Sequence, residues 1–213
     1  MAGQLKGRVG VFKIGMELVY AGGLDLVHEL AQEGEKVFLD LKLLDIGHTV
    51  MQATKTVARL GATFLTVHGV DEKTLKAAVE GRADSSLKLL GVTVMTNLDQ
   101  ADLRQQGITG FSPAQLAVKR AKMATDCGFD GVITSGHEAA AIRAAIGLPG
   151  LIITPGIRTA GADIGDQSRV MTPAKALQAG ADYLVIGRPV TQAKDPVAAV
   201  EEIAGQIDAG ETG

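Results

Sequence analysis

Val37-Phe-Leu-Asp-Leu-Lys-Leu-Leu-Asp45 opens as a buried strand and closes on three charges at spacings i, i+2 and i+5. Side chains alternate along an extended chain, so Asp40 and Lys42 are expected on one face and Leu39 and Leu41 on the other. One face is then apolar and packable, while the other shows an acid and a base side by side at the strand's C-terminal end. A surface strand carrying an incidental ion pair has no need of Val, Phe and four Leu around it. The stretch reads as the catalytic strand of a parallel α/β protein.

Working outward, the same alternation recurs. Short runs rich in Val, Ile and Leu predict strands over 9–14, 37–41, 63–67, 87–94, 131–134, 151–154 and 183–186. Amphipathic segments predict helices over 22–34, 49–60, 72–79, 113–127, 138–146, 173–179 and 196–207, after the tail of a helix at 2–8. Continuous apolar strands of this kind suit a parallel sheet covered on both faces. Regular βα alternation allows a (β/α)8 barrel or a doubly wound sheet. The barrel is favoured by the uniform size of the units and by the absence of a Gly-x-Gly-x-x-Gly opening. Polar residues also recur just after successive strands, where such barrels carry their active sites. Seven strands are found rather than eight, so the expectation is a single (β/α)8 barrel domain over 1–213 that lacks its first strand.

Composition narrows the function. The chain has 213 residues, 46% hydrophobic and 21% charged, with a net charge of −3 and 3% aromatics. No basic block or aromatic series offers a nucleic-acid surface. The lone Cys127 cannot form an intrachain disulfide and reads as a small core residue. No apolar run reaches the roughly 20 residues of a membrane span, and residues 1–8 lack a signal-peptide core, so a cytoplasmic protein is expected. No histidine pair has metal-ligand spacing, so no metal is expected. His68 closes a strand and could line the site, whereas His48 and His137 begin helices as candidate caps.

Two constellations carry chemistry. Lys13 closes the first strand, and with Asp40, Lys42 and Asp45 it is expected to form an alternating array that keeps two lysines and two carboxylates ionised in a dry site. A structural ion-pair network is the alternative. The second constellation, Ile152-Ile-Thr-Pro-Gly-Ile-Arg158 and Tyr183-Leu-Val-Ile-Gly-Arg188, leaves two late strands into glycine-containing loops. Backbone N–H groups there can approach an anion, and Arg158 and Arg188 can each grip a phosphate with a bidentate fork. Between them, 159–167 is polar and glycine-rich, as suits a lid.

Phe-Lys-Ile-Gly at 12–15, Phe-Leu-Asp-Leu-Lys-Leu-Leu-Asp-Ile at 38–46 with Thr49, Val-Thr-Val-Met-Thr at 92–96, Thr-Pro-Gly-Ile-Arg at 154–158 and Val-Ile-Gly-Arg at 185–188 together resemble the orotidine 5′-monophosphate decarboxylases of the bacterial type. The resemblance runs in order over nearly the whole chain. It implies a homodimeric, metal- and cofactor-free (β/α)8 enzyme that converts orotidine 5′-monophosphate to UMP. It implies that Lys42 protonates C6, that Asp40 presses on the substrate carboxylate, and that Lys13 positions Asp40 and a ribose hydroxyl. Asp45, Ile46 and Thr49 would reach the partner's site. Thr96 would contact the pyrimidine, Pro155 would open the phosphate loop, and Arg158, Gln167, Gly187 and Arg188 would hold the phosphate. Where the family has His-Asp-Ile-Pro-Asn-Thr, this chain reads Leu44-Asp-Ile-Gly-His-Thr49. The family's ribose-binding aspartate on the first strand has no counterpart here. A metal-dependent sugar-phosphate decarboxylase or synthase of the same suprafamily would need an acid where Lys13 stands. An inactive nucleotide- or phosphate-binding relative would have no reason to keep the four charges together.

Overall fold

The structure is a computed structural model and describes residues 1–157 and 171–211, with side chains to residue 209. Among the described residues, α1 (Ala2–Leu5) precedes β1 (Phe12–Gly15), α2 (Met16–Tyr20) and α3 (Leu24–Gln32). Then come β2 (Val37–Leu43), α4 (Gly47–Arg59), β3 (Phe64–His68), α5 (Glu72–Arg82) and β4 (Lys88–Val92). The chain continues through α6 (Gln100–Gln105), α7 (Pro113–Asp126), β5 (Gly131–Ile133), α8 (Gly136–Ile146) and β6 (Leu151–Thr154). It closes with α9 (Pro173–Gln178), β7 (Tyr183–Leu184), α10 (Arg188–Thr191) and α11 (Pro196–Glu211).

The seven strands follow one another in sequence order within the sheet, and the β1–β2, β2–β3, β3–β4 and β6–β7 pairings are parallel. Sequential parallel strands alternating with helices are the topology of a (β/α)8 barrel short of one strand. Every expected strand is present. Three short helices, α2, α6 and α10, were not foreseen, because four to six residues are too few to display a helical period. The first strand begins at Phe12 rather than Val9. Neither His48 nor His137 is a cap residue: the position before α4 is Ile46, and α8 is capped by Ser135, whose hydroxyl accepts from the His137 N–H. Cys127 is half-buried rather than core.

Two compact units are distinguished. One comprises Gly10–Thr93 with Arg120–Val132, the other Met1–Val9 with Val94–Lys119 and Ile133–Gly213. In the first, Val37, Leu39, Leu65, Val67, Leu75, Leu89 and Leu90 are wholly or almost wholly buried. In α4, Val50, Thr54 and Val57 are buried at spacings i, i+4 and i+7, as an amphipathic helix requires. In the second unit, Ile142, Ile152, Ile153 and Ile157 are buried to the same degree.

The starts of the strands are tied by side chains. In the first unit Asp130 Oδ2, just before β5, accepts from Leu89 N at 2.8 Å and from Arg82 Nη1 at 2.7 Å. Thr63, just before β3, accepts from Val37 N at 3.2 Å. The second unit repeats the device. Asp182 Oδ2, just before β7, accepts from Ile152 N at 2.7 Å and from Arg143 Nη2 at 2.5 Å. Arg143 also donates to the carbonyls of Gly147, Gly150 and Gly180. Each aspartate follows a glycine with positive φ, Gly128 at 95° and Gly180 at 101°, which turns the chain from helix into strand.

Candidate active site

In the first unit β2 and β3 run side by side in register at Phe38↔Phe64 and Leu39↔Leu65. The two phenylalanine rings meet edge to face, centroids 6.2 Å apart, and form the apolar floor of the inner face. The register then shifts: Leu39 pairs with Leu65, but Leu43 pairs with Val67, so β2 spends four residue steps where β3 spends two. The excess is taken up by a bulge in which Lys42 has φ 49°, a left-handed conformation uncommon for a side chain of this size.

The charges meet at this bulge. Lys42 Nζ lies 2.8 Å from both oxygens of Asp40. Lys13 Nζ, arriving from β1, lies 3.7 Å from Asp40 Oδ2. The Thr66 hydroxyl on β3 donates to Asp40 Oδ1 at 2.8 Å and accepts from the Lys42 backbone N–H at 2.8 Å. The Asp40 side chain is 14% exposed, against 27% for Lys42 and 34% for Lys13. A carboxylate so placed stays solvated by donors while the two ammonium groups remain open to a ligand. Gly15 makes room for Lys13: a Cβ there would stand 3.3 Å from its Nζ.

The expectation that Asp40 and Lys42 stand side by side is met. What the alternation did not show is that β2 bulges between them and β3, with Thr66 bonded to both residues. Thr66 was not foreseen. Its one signal in the sequence is a polar side chain in the middle of the buried run Phe64-Leu-Thr-Val-His68.

Asp45 does not join this cluster within the chain. It is exposed, and its Oδ1 accepts from the adjacent Ile46 N at 2.7 Å, because β2 ends at Leu43 and the chain turns at once into α4. Among the described residues the array is thus Lys13–Asp40–Lys42, two cations on one carboxylate. Ile46, 74% exposed, and Thr49 flank the start of α4 on the surface, with Leu44 also exposed.

His68 and Arg120 complete the surroundings. Phe64, Thr66 and His68 share the inner face of β3 by alternation, so His68 stands one layer beyond Thr66. Burial pushes its imidazole below the ordinary histidine value; the charges of Lys42 and Arg120 add to that, and Asp40 opposes it. Arg120, on α7, donates from Nη1 to the Thr93 carbonyl at 2.8 Å, and burial lowers its pKa as well.

In the second unit the described residues foreseen as ligand contacts lie in the segments that follow strands. Thr96 follows β4 and is half-buried. Pro155 follows β6 directly, Gly187 precedes α10, and Arg188 opens that helix with an exposed side chain. Arg158 and Gln167 lie outside the described residues, as does the loop expected to act as a lid. Thr134 and Thr154, at the ends of β5 and β6, are buried with hydroxyls that have no hydrogen-bond partner among the described residues. Among the described residues no group of three or more His, Cys, Asp or Glu is placed to hold a metal ion, and no helix is long and apolar enough to cross a membrane.

Known proteins resemble this chain over most of its length. A sequence model of the orotidine 5′-phosphate decarboxylase / HUMPS family matches residues 1–203. An orotidine 5′-phosphate decarboxylase of Rhodopseudomonas palustris (strain BisA53) is 51% identical over 207 residues, covering 97% of this chain and 87% of its own. One from Methylobacterium sp. (strain 4-46) is 54% identical over 199 residues, covering 92% and 84%. Among solved structures, the crystal structure of orotidine 5′-phosphate decarboxylase from Lactobacillus acidophilus superposes with a TM-score of 0.80 at 39% identity, covering 92% of this chain and 86% of that one. The chain belongs to the orotidine 5′-phosphate decarboxylase / HUMPS family.

Proposed function

We propose that this protein decarboxylates orotidine 5′-monophosphate to UMP, the closing reaction of pyrimidine nucleotide synthesis, and that it does so without metal or organic cofactor. The observation that carries the reading is the Lys42 ammonium held 2.8 Å from both oxygens of Asp40, with Lys13 behind the same carboxylate. Loss of CO2 from C6 leaves an electron pair on a carbon with no adjacent carbonyl to accept it. An ammonium fixed beside that carbon stabilises the developing charge and then delivers its proton to C6. Lys42 is left as a neutral amine and regains its proton from solvent. Asp40 sets its negative charge against the substrate carboxylate, which raises the energy of the ground state more than that of the transition state, where that carboxylate is becoming neutral CO2. Lys13 keeps Asp40 in place and binds a ribose hydroxyl.

Thr96 takes the pyrimidine in this reading, and Pro155, Arg158, Gln167, Gly187 and Arg188 take the phosphate. Binding energy gained at the phosphate is available for closing the site and for forcing the carboxylate against Asp40. The exposure of Asp45, Ile46 and Thr49 supports a homodimer in which these three residues serve the partner's site. The whole chain, 1–213, works as one catalytic domain in the cytoplasm, and the single family match over residues 1–203 supports the first part of that statement. A metal-dependent sugar-phosphate enzyme is disfavoured by Lys13, a cation beside Asp40 where such a site needs an acid.

The test is the ultraviolet absorbance of orotidine 5′-monophosphate mixed with the purified protein in excess EDTA. Decay to the spectrum of UMP is expected. A folded protein that leaves the absorbance unchanged overturns the reading, and decay that appears only when a divalent cation is restored overturns its metal-free part.

A further inference from the structure

We infer that Thr66 is a positioning residue for the Lys42–Asp40 pair: its hydroxyl clamps the bulge that carries Lys42 to the carboxylate that holds Lys42's ammonium.

The directions of the hydrogen bonds leave one arrangement. A backbone N–H can only donate, so the Lys42 amide, 2.8 Å away, gives its proton to Thr66 Oγ1. An ionised carboxylate can only accept, so the Thr66 proton goes to Asp40 Oδ1, also at 2.8 Å. One oxygen thus links the main chain of the proton donor to the side chain that orients it. The hydroxyl is wholly buried, so water does not compete for either bond. Both ends of the link need it. Lys42 sits at φ 49°, a left-handed conformation that persists only where the surroundings over-determine it. Within the stretch where the register shifts, the Lys42 N–H bonds the Thr66 side chain, so this bond ties the bulge of β2 to β3. At the other end Asp40 Oδ1 is shared between Thr66 and Lys42 Nζ, so the hydroxyl sets which way the carboxylate plane faces.

A link of this kind acts on the chemical step. A shift of about 1 Å in a reacting group can cost on the order of 10²-fold in rate while leaving remote binding contacts alone. The inference rests on the function proposed above and is tested with two variants of near-native volume. Thr66→Ser keeps the hydroxyl and Thr66→Val keeps the shape without it. We expect Thr66→Val to lower kcat by roughly 30- to 100-fold with KM within about threefold of the wild type. Thr66→Ser should restore kcat to within about fivefold, rates being normalised to the sites that bind UMP by calorimetry. Hydrogen exchange of the Lys42 amide supplies a readout that needs no turnover, and it should quicken in Thr66→Val but not in Thr66→Ser. If the wild type fails to decarboxylate the substrate, the proposed function falls while the exchange measurement still decides the clamp. Equal kcat in Thr66→Val and the wild type, equal losses in both variants, or unchanged Lys42 exchange in Thr66→Val would each overturn the inference.

Discussion

At the start of β5 and at the end of β2 an aspartate meets a cation, and the two meetings are built differently. Asp130 accepts from one arginine and one backbone N–H, so each donor is matched and the charges cancel. Asp182 repeats that pattern in the second unit. Asp40 instead serves two lysines and a threonine, leaving an excess of positive charge, and its main partner rides on a left-handed backbone. The aspartates before β5 and β7 are each neutralised by one arginine, whereas the end of β2 carries a left-handed lysine and, among the described residues, one cation more than its carboxylate balances. In a parallel α/β protein stability and chemistry are thereby separated along the strand axis. Removing a residue from one end should therefore lower stability without touching rate, and removing one from the other should do the reverse.

The largest effect is expected at Lys42. Lys42→Ala should lower kcat by roughly 10³-fold or more, because proton delivery and charge stabilisation are lost together. UMP binding should stay near the wild-type value, and the denaturation midpoint should not fall. Equal losses of turnover and of UMP affinity would deny Lys42 the role of proton donor.

Arg188→Ala comes next, with KM raised roughly 30-fold and a smaller change in kcat, as for a contact made equally in ground and transition states. Steady-state kinetics decide it, and an unchanged KM would remove Arg188 from the phosphate contacts.

At the opposite end, Asp130→Ala leaves the Leu89 N–H without its acceptor and Arg82 without its anion. Urea denaturation should show a loss of about 2 kcal/mol, with kcat within about twofold of the wild type. A substantial fall in kcat per folded molecule would mean that the two ends are not independent.

A finer probe is Gly15→Ala. The added methyl crowds Lys13 Nζ, and a lysine tip can move by the few tenths of an ångström needed. A loss of about threefold in kcat at unchanged stability is expected, whereas a drop in stability alone would show that Gly15 serves packing rather than Lys13.

The smallest effect concerns pH. Because the folded pKa of His68 lies below its ordinary value of 6.5, the unfolded chain takes up the proton first as the solution is acidified. The stability associated with a neutral His68 is complete above about pH 6.5 and is lost as pH falls from there through the folded value. His68→Asn should flatten this part of the stability–pH curve between pH 7 and pH 5, read from urea denaturation at each pH. An identical slope in the variant would mean that other groups govern the acid side.

Much of this was legible in the residues. Runs of Val, Ile and Leu marked all seven strands, and Lys13, Asp40 and Lys42 carry opposite charges into an apolar setting that only a site or a network explains. Helix positions followed from period and from breakers such as Gly7 and Gly34. Short α2, α6 and α10 were not legible, because a turn or two of helix is decided by neighbours rather than by propensity. Asp45 was equally opaque. Its spacing placed it with Lys42, but the end of β2 turned it onto its own backbone.

The sequence by itself determined the alternation of strands and helices, the parallel topology and the identity of the charged strand, because burial of apolar periodicity is a local property of the chain. Only the tertiary structure decided how those charges meet. The extra residues of β2 have to be absorbed against β3, and the hydroxyl that absorbs them, on Thr66, lies 24 positions from the amide it accepts. A bulge is a relation between two strands, and no pattern within either one encodes it.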